Sequence, residues 1–237
     1  MGIPVLIIGE SGSGKTYSIK NLDPGKVGIF LCEKNRLPFR KQFPTYKVRN
    51  MQKEEGDKII IYRQSAVIQG LLRGKKNSEK APKIYVIDDS QYIMANEFFD
   101  RATEKGYEKF VDIGANFRNL VHLVNDELPD DVIVYFLHHP ETDSNTGRQK
   151  AKTIGKMLDE KLTLEGCFDI VLHARTDGQE HWFSTQSDGT DTAKSPEDMF
   201  DVKIPNDLAL VDRTIRDYYG MEPLETKETE EKEGTEK

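Results

Sequence analysis

Near the start of the chain, Gly9-Glu10-Ser11-Gly12-Ser13-Gly14-Lys15-Thr16 matches G-x-x-x-x-G-K-[ST] and directly follows a short apolar run, Val5-Leu6-Ile7-Ile8. Glycines at these places let the backbone curl so that successive N–H groups point inward at an anion, and a helix beginning near Lys15 would add its positive dipole end. That is phosphate-binding chemistry. Lys15 would reach the β- and γ-phosphates of a nucleoside triphosphate, Thr16 would set its hydroxyl on a Mg²⁺ bridging them, and Tyr17 completes the nucleotide-contacting set. Ile84-Tyr85-Val86-Ile87-Asp88-Asp89 delivers a carboxylate at the end of a second apolar run. Asp88 is the candidate second protein ligand for the magnesium, a hard cation that takes oxygen donors. Asp89 either orients water or caps the helix that opens at Ser90-Gln91.

Three further groups could complete a hydrolytic site. Val27-Gly28-Ile29-Phe30-Leu31-Cys32 is nearly continuous apolar sequence ending at Glu33, and a carboxylate at the carboxyl end of a buried strand is placed to polarise an attacking water. Val132 to Leu137 is another buried strand, and it ends in His138-His139. Adjacent residues on a strand point to opposite faces, so the pair is not a metal site; one of them fits a sensor that donates a hydrogen bond to the γ-phosphate. The segment from Thr142 to Lys156 then carries Arg148, Lys150, Lys152 and Lys156 among glycines and polar residues. Its basic, mobile character suits contact with a phosphate backbone as well as it suits a solvated hairpin or loop.

The elements that must hold these groups alternate between apolar strands and helical periodicity, which is the pattern of an α/β fold with a mostly parallel central sheet. Tyr17 to Asn21 reads as a short helix stopped at Pro24-Gly25, Thr45 to Val48 as a short strand, and Ile59 to Leu72 as a helix with Ile60, Ala66, Val67, Leu71 and Leu72 inward. The three isoleucines at 59–61 would equally suit a strand. Helices follow at Gln91 to Glu104 and Lys109 to Glu127, the latter with Phe110, Ile113, Phe117, Leu120, Val121 and Val124 on one stripe. Phe168 to Leu172 and His181 to Ser184 form a C-terminal β-hairpin around Asp177-Gly178, Ser195-Pro196-Glu197 opens a short helical turn, and Asp207 to Tyr219 is a last helix closed by Gly220.

Composition bounds the rest. With 237 residues, 36% of them hydrophobic, the chain can bury one substantial core, so residues 1–220 read as one domain and 221–237, rich in Glu, Lys and Thr, as a disordered acidic tail. A net charge of -7 excludes a protein that coats polyanions along its whole surface. Cys32 and Cys167 read as inert core thiols of a reducing compartment. No apolar stretch approaches the ~20 residues of a membrane span and no leader precedes the first strand, so the expected location is the cytoplasm with no membrane contact.

Together these residues resemble the RecA-like P-loop ATPases, and among them the small phage-encoded, core-only recombinases linked to single-strand annealing. The resemblance covers residues 3–219 in pattern: the Gly9–Thr16 loop, the strand ending in Glu33, Asp88-Asp89-Ser90, His139 after the fourth strand, the paired strands, and Pro205-Asn206-Asp207-Leu208. It implies that Glu33 activates water, that His139 is the sensor, and that the segment 142–156 contacts single-stranded DNA. Lys194 falls near where some relatives of this kind donate a cation to a neighbouring subunit's nucleotide. The implied activity is ATP binding and slow, DNA- or assembly-stimulated hydrolysis in the host cytoplasm, with Mg²⁺ as cofactor. A homo-oligomer and a single-strand-binding protein are its further implied partners. A small-molecule kinase or GTPase-like switch is disfavoured, since neither a substrate lid nor a guanine-reading N-K-x-D is visible. A nucleotide-dependent assembly protein without DNA binding is the other alternative.

Overall fold

A computed structural model describes residues 1–33, 36–48, 51–55, 58–154 and 163–224. Strands β1 (Ile3–Ile8), β2 (Val27–Leu31), β6 (Ile84–Asp88) and β7 (Ile133–His138) are buried along their length, as expected of parallel strands covered on both faces. With β3 (Thr45–Lys47), β10 (Ile170–Thr176), β11 (His181–Ser184) and β12 (Lys203–Pro205) they form one 8-stranded sheet in the order β12-β11-β10-β1-β7-β6-β2-β3. Pairing is parallel from β10 through β3 and antiparallel at β10–β11 and β11–β12. Two small hairpins stand outside it: β4 (Met51–Glu55) with β5 (Lys58–Tyr62), and β8 (Pro140–Thr142) with β9 (Gln149–Ala151).

Because side chains alternate across a strand, each strand supplies two cores. Leu6, Ile8, Phe30, Ile87 and Phe136 face α1 (Gln64–Lys75), α2 (Gln91–Asp100) and α3 (Glu108–Glu127), through residues such as Ile68, Ile93, Phe117, Leu120 and Val124. Val5, Ile7, Ile29, Tyr135 and Leu172 face the 3-10 turn Tyr17–Asn21 and α4 (Leu208–Tyr218), through Ile19, Leu208, Val211 and Ile215. A buried ion pair fastens α4 to the sheet: Arg216 Nε donates to Asp212 Oδ2 at 2.7 Å and Arg216 Nη1 to the Asp131 carbonyl at 3.0 Å. Tyr135 Oη donates to the other Asp212 oxygen at 3.3 Å.

Several expected elements are corrected. Residues 59–61 belong to β5, and the helix begins only at Gln64, because three consecutive β-branched side chains favour an extended backbone. Ala66, expected inward, is exposed, while Ile68 and Leu72 are buried and Val67 and Leu71 pack partly against the core. The helix after β6 ends at Asp100, not Glu104, and β4 and β12 are strands that local sequence pattern does not signal. The expected tail begins within the described residues: Leu224 packs against the α4 core, whereas 225–237 lie outside them. Both cysteines are free thiols, Cys32 buried and Cys167 partly so. Among the described residues no helix is long and apolar enough to cross a membrane.

Candidate functional site

The carboxyl ends of β1, β2, β6 and β7 lie side by side, since Ile8 pairs with His138 and Leu31 with Asp88. Every sequence-predicted catalytic residue is therefore carried to one edge of the sheet, the edge where open α/β sheets bind ligands. The loop after β1 turns at Gly12 and Gly14, whose φ values of +85° and +94° lie where a side chain would be strained. Buried Lys15 lies back along the loop, its Nζ 2.5 Å from the Gly9 carbonyl and 3.0 Å from that of Glu10. Thr16 Oγ1 donates to Asp88 Oδ1 at 2.9 Å, both residues buried and 72 positions apart. The element after the loop is a 3-10 turn of 5 residues rather than an α-helix. A turn that short has little macrodipole, so an anion here would be held by backbone N–H groups and Lys15 more than by the dipole the sequence suggests.

On the acidic side, Asp88 ends β6 and Asp89 turns the chain into α2 with φ at +60°, a left-handed conformation uncommon outside glycine. Strain of that kind collects at functional sites. Asp89 does not cap α2; its Oδ1 lies 3.2 Å from His139 Nε2, and the His139 backbone N–H donates to Gln91 Oε1 at 3.2 Å. His138 is committed elsewhere. Its Nε2 lies 2.8 Å from the Lys152 carbonyl, which can only accept, so the network assigns the proton to Nε2 and leaves Nδ1 to accept from Ser90 Oγ at 2.8 Å. Burial pushes the His138 ring down to about 4, keeping it neutral. Of the two histidines, then, His139 is the partly exposed one beside an acid, and His138 is a buried strut between α2 and the segment after β9.

Glu33 follows β2 at the same edge, exposed, with Asn96 Nδ2 3.5 Å from its Oε2, too long to hold it in one geometry. Burial, then the charges of Asp88, Asp89 and Glu33, push the neighbouring Cys32 thiol well above its ordinary range, which makes it a core residue and not a nucleophile. Among the described residues no three His, Cys, Asp or Glu side chains cluster as a metal site. The hydroxyl and carboxylate of Thr16 and Asp88 nonetheless fit a magnesium ion, which uses one or two protein oxygens and completes its shell with water and phosphate. Tyr17, just beyond the loop, is exposed, with its ring edge-on to Phe39 at 6.4 Å and its hydroxyl 2.7 Å from Lys20 Nζ.

Much of the basic segment's charge is already paired. Residues 140–151 form the β8–β9 hairpin, one of the readings its sequence allows, because Asp143 and Gly147 make a tight turn: Asp143 Oδ1 accepts from the N–H groups of Asn145 and Thr146, both at 2.9 Å, and Gly147 adopts φ +71°. Arg148 Nη2 donates to the Asp191 carbonyl at 2.6 Å, and Lys150 Nζ lies 3.4 Å from Glu141 and 3.9 Å from Asp143. Lys152 is exposed, and Lys156 lies outside the described residues. Lys194 pairs its backbone with Val171, part-way down β10 and short of the edge that carries the loop. Beneath the hairpin, Arg175 forms an ion pair with buried Asp191, which also lies 3.9 Å from His173. A cleft of ≈ 690 Å³ lined by Lys26, Ile84, Asp212 and Leu224 opens where β2 and β6 begin, at the far end of the strands from the loop.

Contacts missed at the sequence level are long-range. His181 Nδ1 and Asn206 Nδ2 both reach the Ser13 carbonyl, at 3.1 and 3.4 Å, across 168 and 193 positions, and no local pattern signals either. No family model matches the chain, and no curated protein is found similar to it.

Proposed function

We propose that this protein is a RecA-like P-loop ATPase, of the kind small phage-encoded recombinases use, that binds Mg-ATP, hydrolyses it, and acts on single-stranded DNA in recombination or annealing. One observation carries the reading: the hydroxyl that follows the loop lysine and the carboxylate that ends β6 meet at 2.9 Å in a buried position. A glycine-rich turn by itself needs no such partner. The strand order supports the same reading, because β7, which carries His139, runs between the loop strand and the acid strand. A group at its end is placed to report on the terminal phosphate.

Lys15 would exchange its two loop carbonyls for β- and γ-phosphate oxygens, replacing neutral acceptors by charged ones, which bind the ammonium more strongly. Thr16 and Asp88 would hold Mg²⁺, which when bound offsets charge that develops on the phosphate oxygens. Glu33, free to move at the exposed end of β2, would accept a proton from the attacking water, and Asp89 would orient the His139 ring toward the γ-phosphate. Changes there reach the hairpin through a short path, from Ser90 beside Asp89 to His138 and on to the Lys152 carbonyl.

A second reading, nucleotide-dependent assembly without DNA binding, is favoured by the partners already held by Arg148 and Lys150. Phosphate release from Mg-ATP with and without single-stranded DNA tests both. Stimulation by DNA supports the first, turnover indifferent to DNA supports the second, and absence of nucleotide binding removes both.

A further inference from the structure

The outer side of the phosphate loop is gripped by residues from the far end of the chain. Ser13's carbonyl accepts from His181 Nδ1 at 3.1 Å, at the start of β11, and from Asn206 Nδ2 at 3.4 Å, between β12 and α4. The next residue, Gly14, has φ +94°, and a Cβ there would stand 2.9 Å from Asn206 Nδ2 and 3.0 Å from His181 Nδ1, so the grip leaves no room for a side chain. Asn21 Nδ2 donates to Asp207 Oδ2 at 2.9 Å, fastening the start of α4 to the turn that follows the loop. In a trans peptide the C=O of Ser13 and the N–H of Gly14 point in opposite directions. Donors that hold the carbonyl outward therefore hold the Gly14 N–H inward. Among the described residues that N–H has no hydrogen-bond partner. Ser13 Oγ and Asn206 Oδ1 are buried and also have no partner among them. Such orphaned groups are costly, and they persist where the surrounding structure imposes the geometry.

We infer that His181 and Asn206 are positioning residues that aim the Ser13–Gly14 peptide at the phosphates, so that the antiparallel edge of the sheet completes a triphosphate site begun at β1. The inference rests on reading Gly9–Thr16 as that site. Because the two residues act through loop backbone, their effect belongs to the triphosphate and not to the base.

The test compares affinities for Mg-ATP and for Mg-tripolyphosphate, which has no base or ribose, by isothermal titration calorimetry. His181→Ala and Asn206→Ala should each raise the Kd of both ligands by the same factor, about 3- to 10-fold, the amount expected for one neutral hydrogen bond. His181→Asn, which keeps an N–H donor near the Nδ1 position, should recover most of the loss. His181 is exposed, so its variants should unfold at the wild-type temperature without ligand. Unchanged affinities, a loss confined to Mg-ATP, or His181→Asn as weak as His181→Ala would each overturn the assignment. Wild-type protein that binds neither ligand would overturn the phosphate-site reading itself, and this inference with it.

Discussion

Lys15 and Glu33 hold opposite kinds of position, and their variants should differ accordingly. Lys15 is buried and bonded to two loop carbonyls, whereas Glu33 is exposed at a strand end. Lys15→Ala should weaken Mg-ATP binding by more than tenfold, since a charge-assisted contact amounts to about 1.5–3 kcal/mol, and should still fold, with unliganded stability lower by about 1–3 kcal/mol as the two loop carbonyls lose their donor. Wild-type affinity in a titration of this variant would remove the loop from the site. Glu33→Gln should bind Mg-ATP normally and release phosphate roughly 10²- to 10⁴-fold more slowly, the usual span for losing a general base. Normal turnover would direct attention to Asp89, whose strained backbone and contact with His139 mark it as the next acid to test.

Among the elements, α4 and the β8–β9 hairpin are each held by a polar anchor, and each anchor makes its own prediction. Arg216 and Asp212 are buried together, and burial raises the Asp212 carboxyl even with the guanidinium beside it. Arg216→Met should cost about 3–5 kcal/mol in urea unfolding, because it strands a buried carboxylate, while replacing both partners by apolar residues should cost much less. Equal losses for single and double variants would contradict this account. For the hairpin, the measurement is a salt titration of single-stranded DNA binding with ATP present. Each phosphate contact adds about 0.7 to the slope on single strands, so changing Arg148, Lys150 and Lys152 together to Ala should weaken binding and flatten its salt dependence, with basal hydrolysis retained. Lys152→Ala alone should lower the slope without loosening the hairpin, since Lys152 bonds His138 and His139 only through its backbone. Identical slopes for the triple variant and wild type would exclude this hairpin from the DNA site.

At the scale of the whole molecule, two buried histidines should govern stability in mild acid. Burial is the main cause that lowers both His138 and His173 to about 4, the first near Lys152, His139, Lys15 and Asp89, the second near Asp191, Arg175 and Asp188. Each has a folded value below its unfolded one of about 6.5, so between those limits the unfolded chain binds more protons. Their contribution is present above pH 6.5 and lost as pH falls toward 4, by up to about 1.4 kcal/mol per pH unit for each ring. Urea unfolding from pH 7.5 to 4.5 should show this decline, and His138→Gln should reduce its slope; a flat profile would mean the rings are not buried neutral. Much of the molecule was legible from local pattern. The buried strands, the glycine loop, Asp88 at the end of β6 and α4, with Asp207 accepting from Ala209 N at 2.9 Å and Gly220 at φ +64°, are announced by residue type and short-range spacing, because strand burial, turn conformation and capping are decided within a few residues. The run 59–61 is ambiguous because its β-branched side chains suit a strand, while its hairpin partner β4, though adjacent in sequence, is Met-Gln-Lys-Glu-Glu and carries no strand signal. Only the tertiary structure decided that β7 lies between β1 and β6, that His138 is a strut and His139 faces the edge, that Arg148 is spent on Asp191, and that His181 and Asn206 close on Ser13. Each of those outcomes depends on which other segment packs alongside, a choice made by the burial of two sheet faces at once and by hydrogen bonds that span from 14 to 193 positions, and short-range spacing does not name those partners.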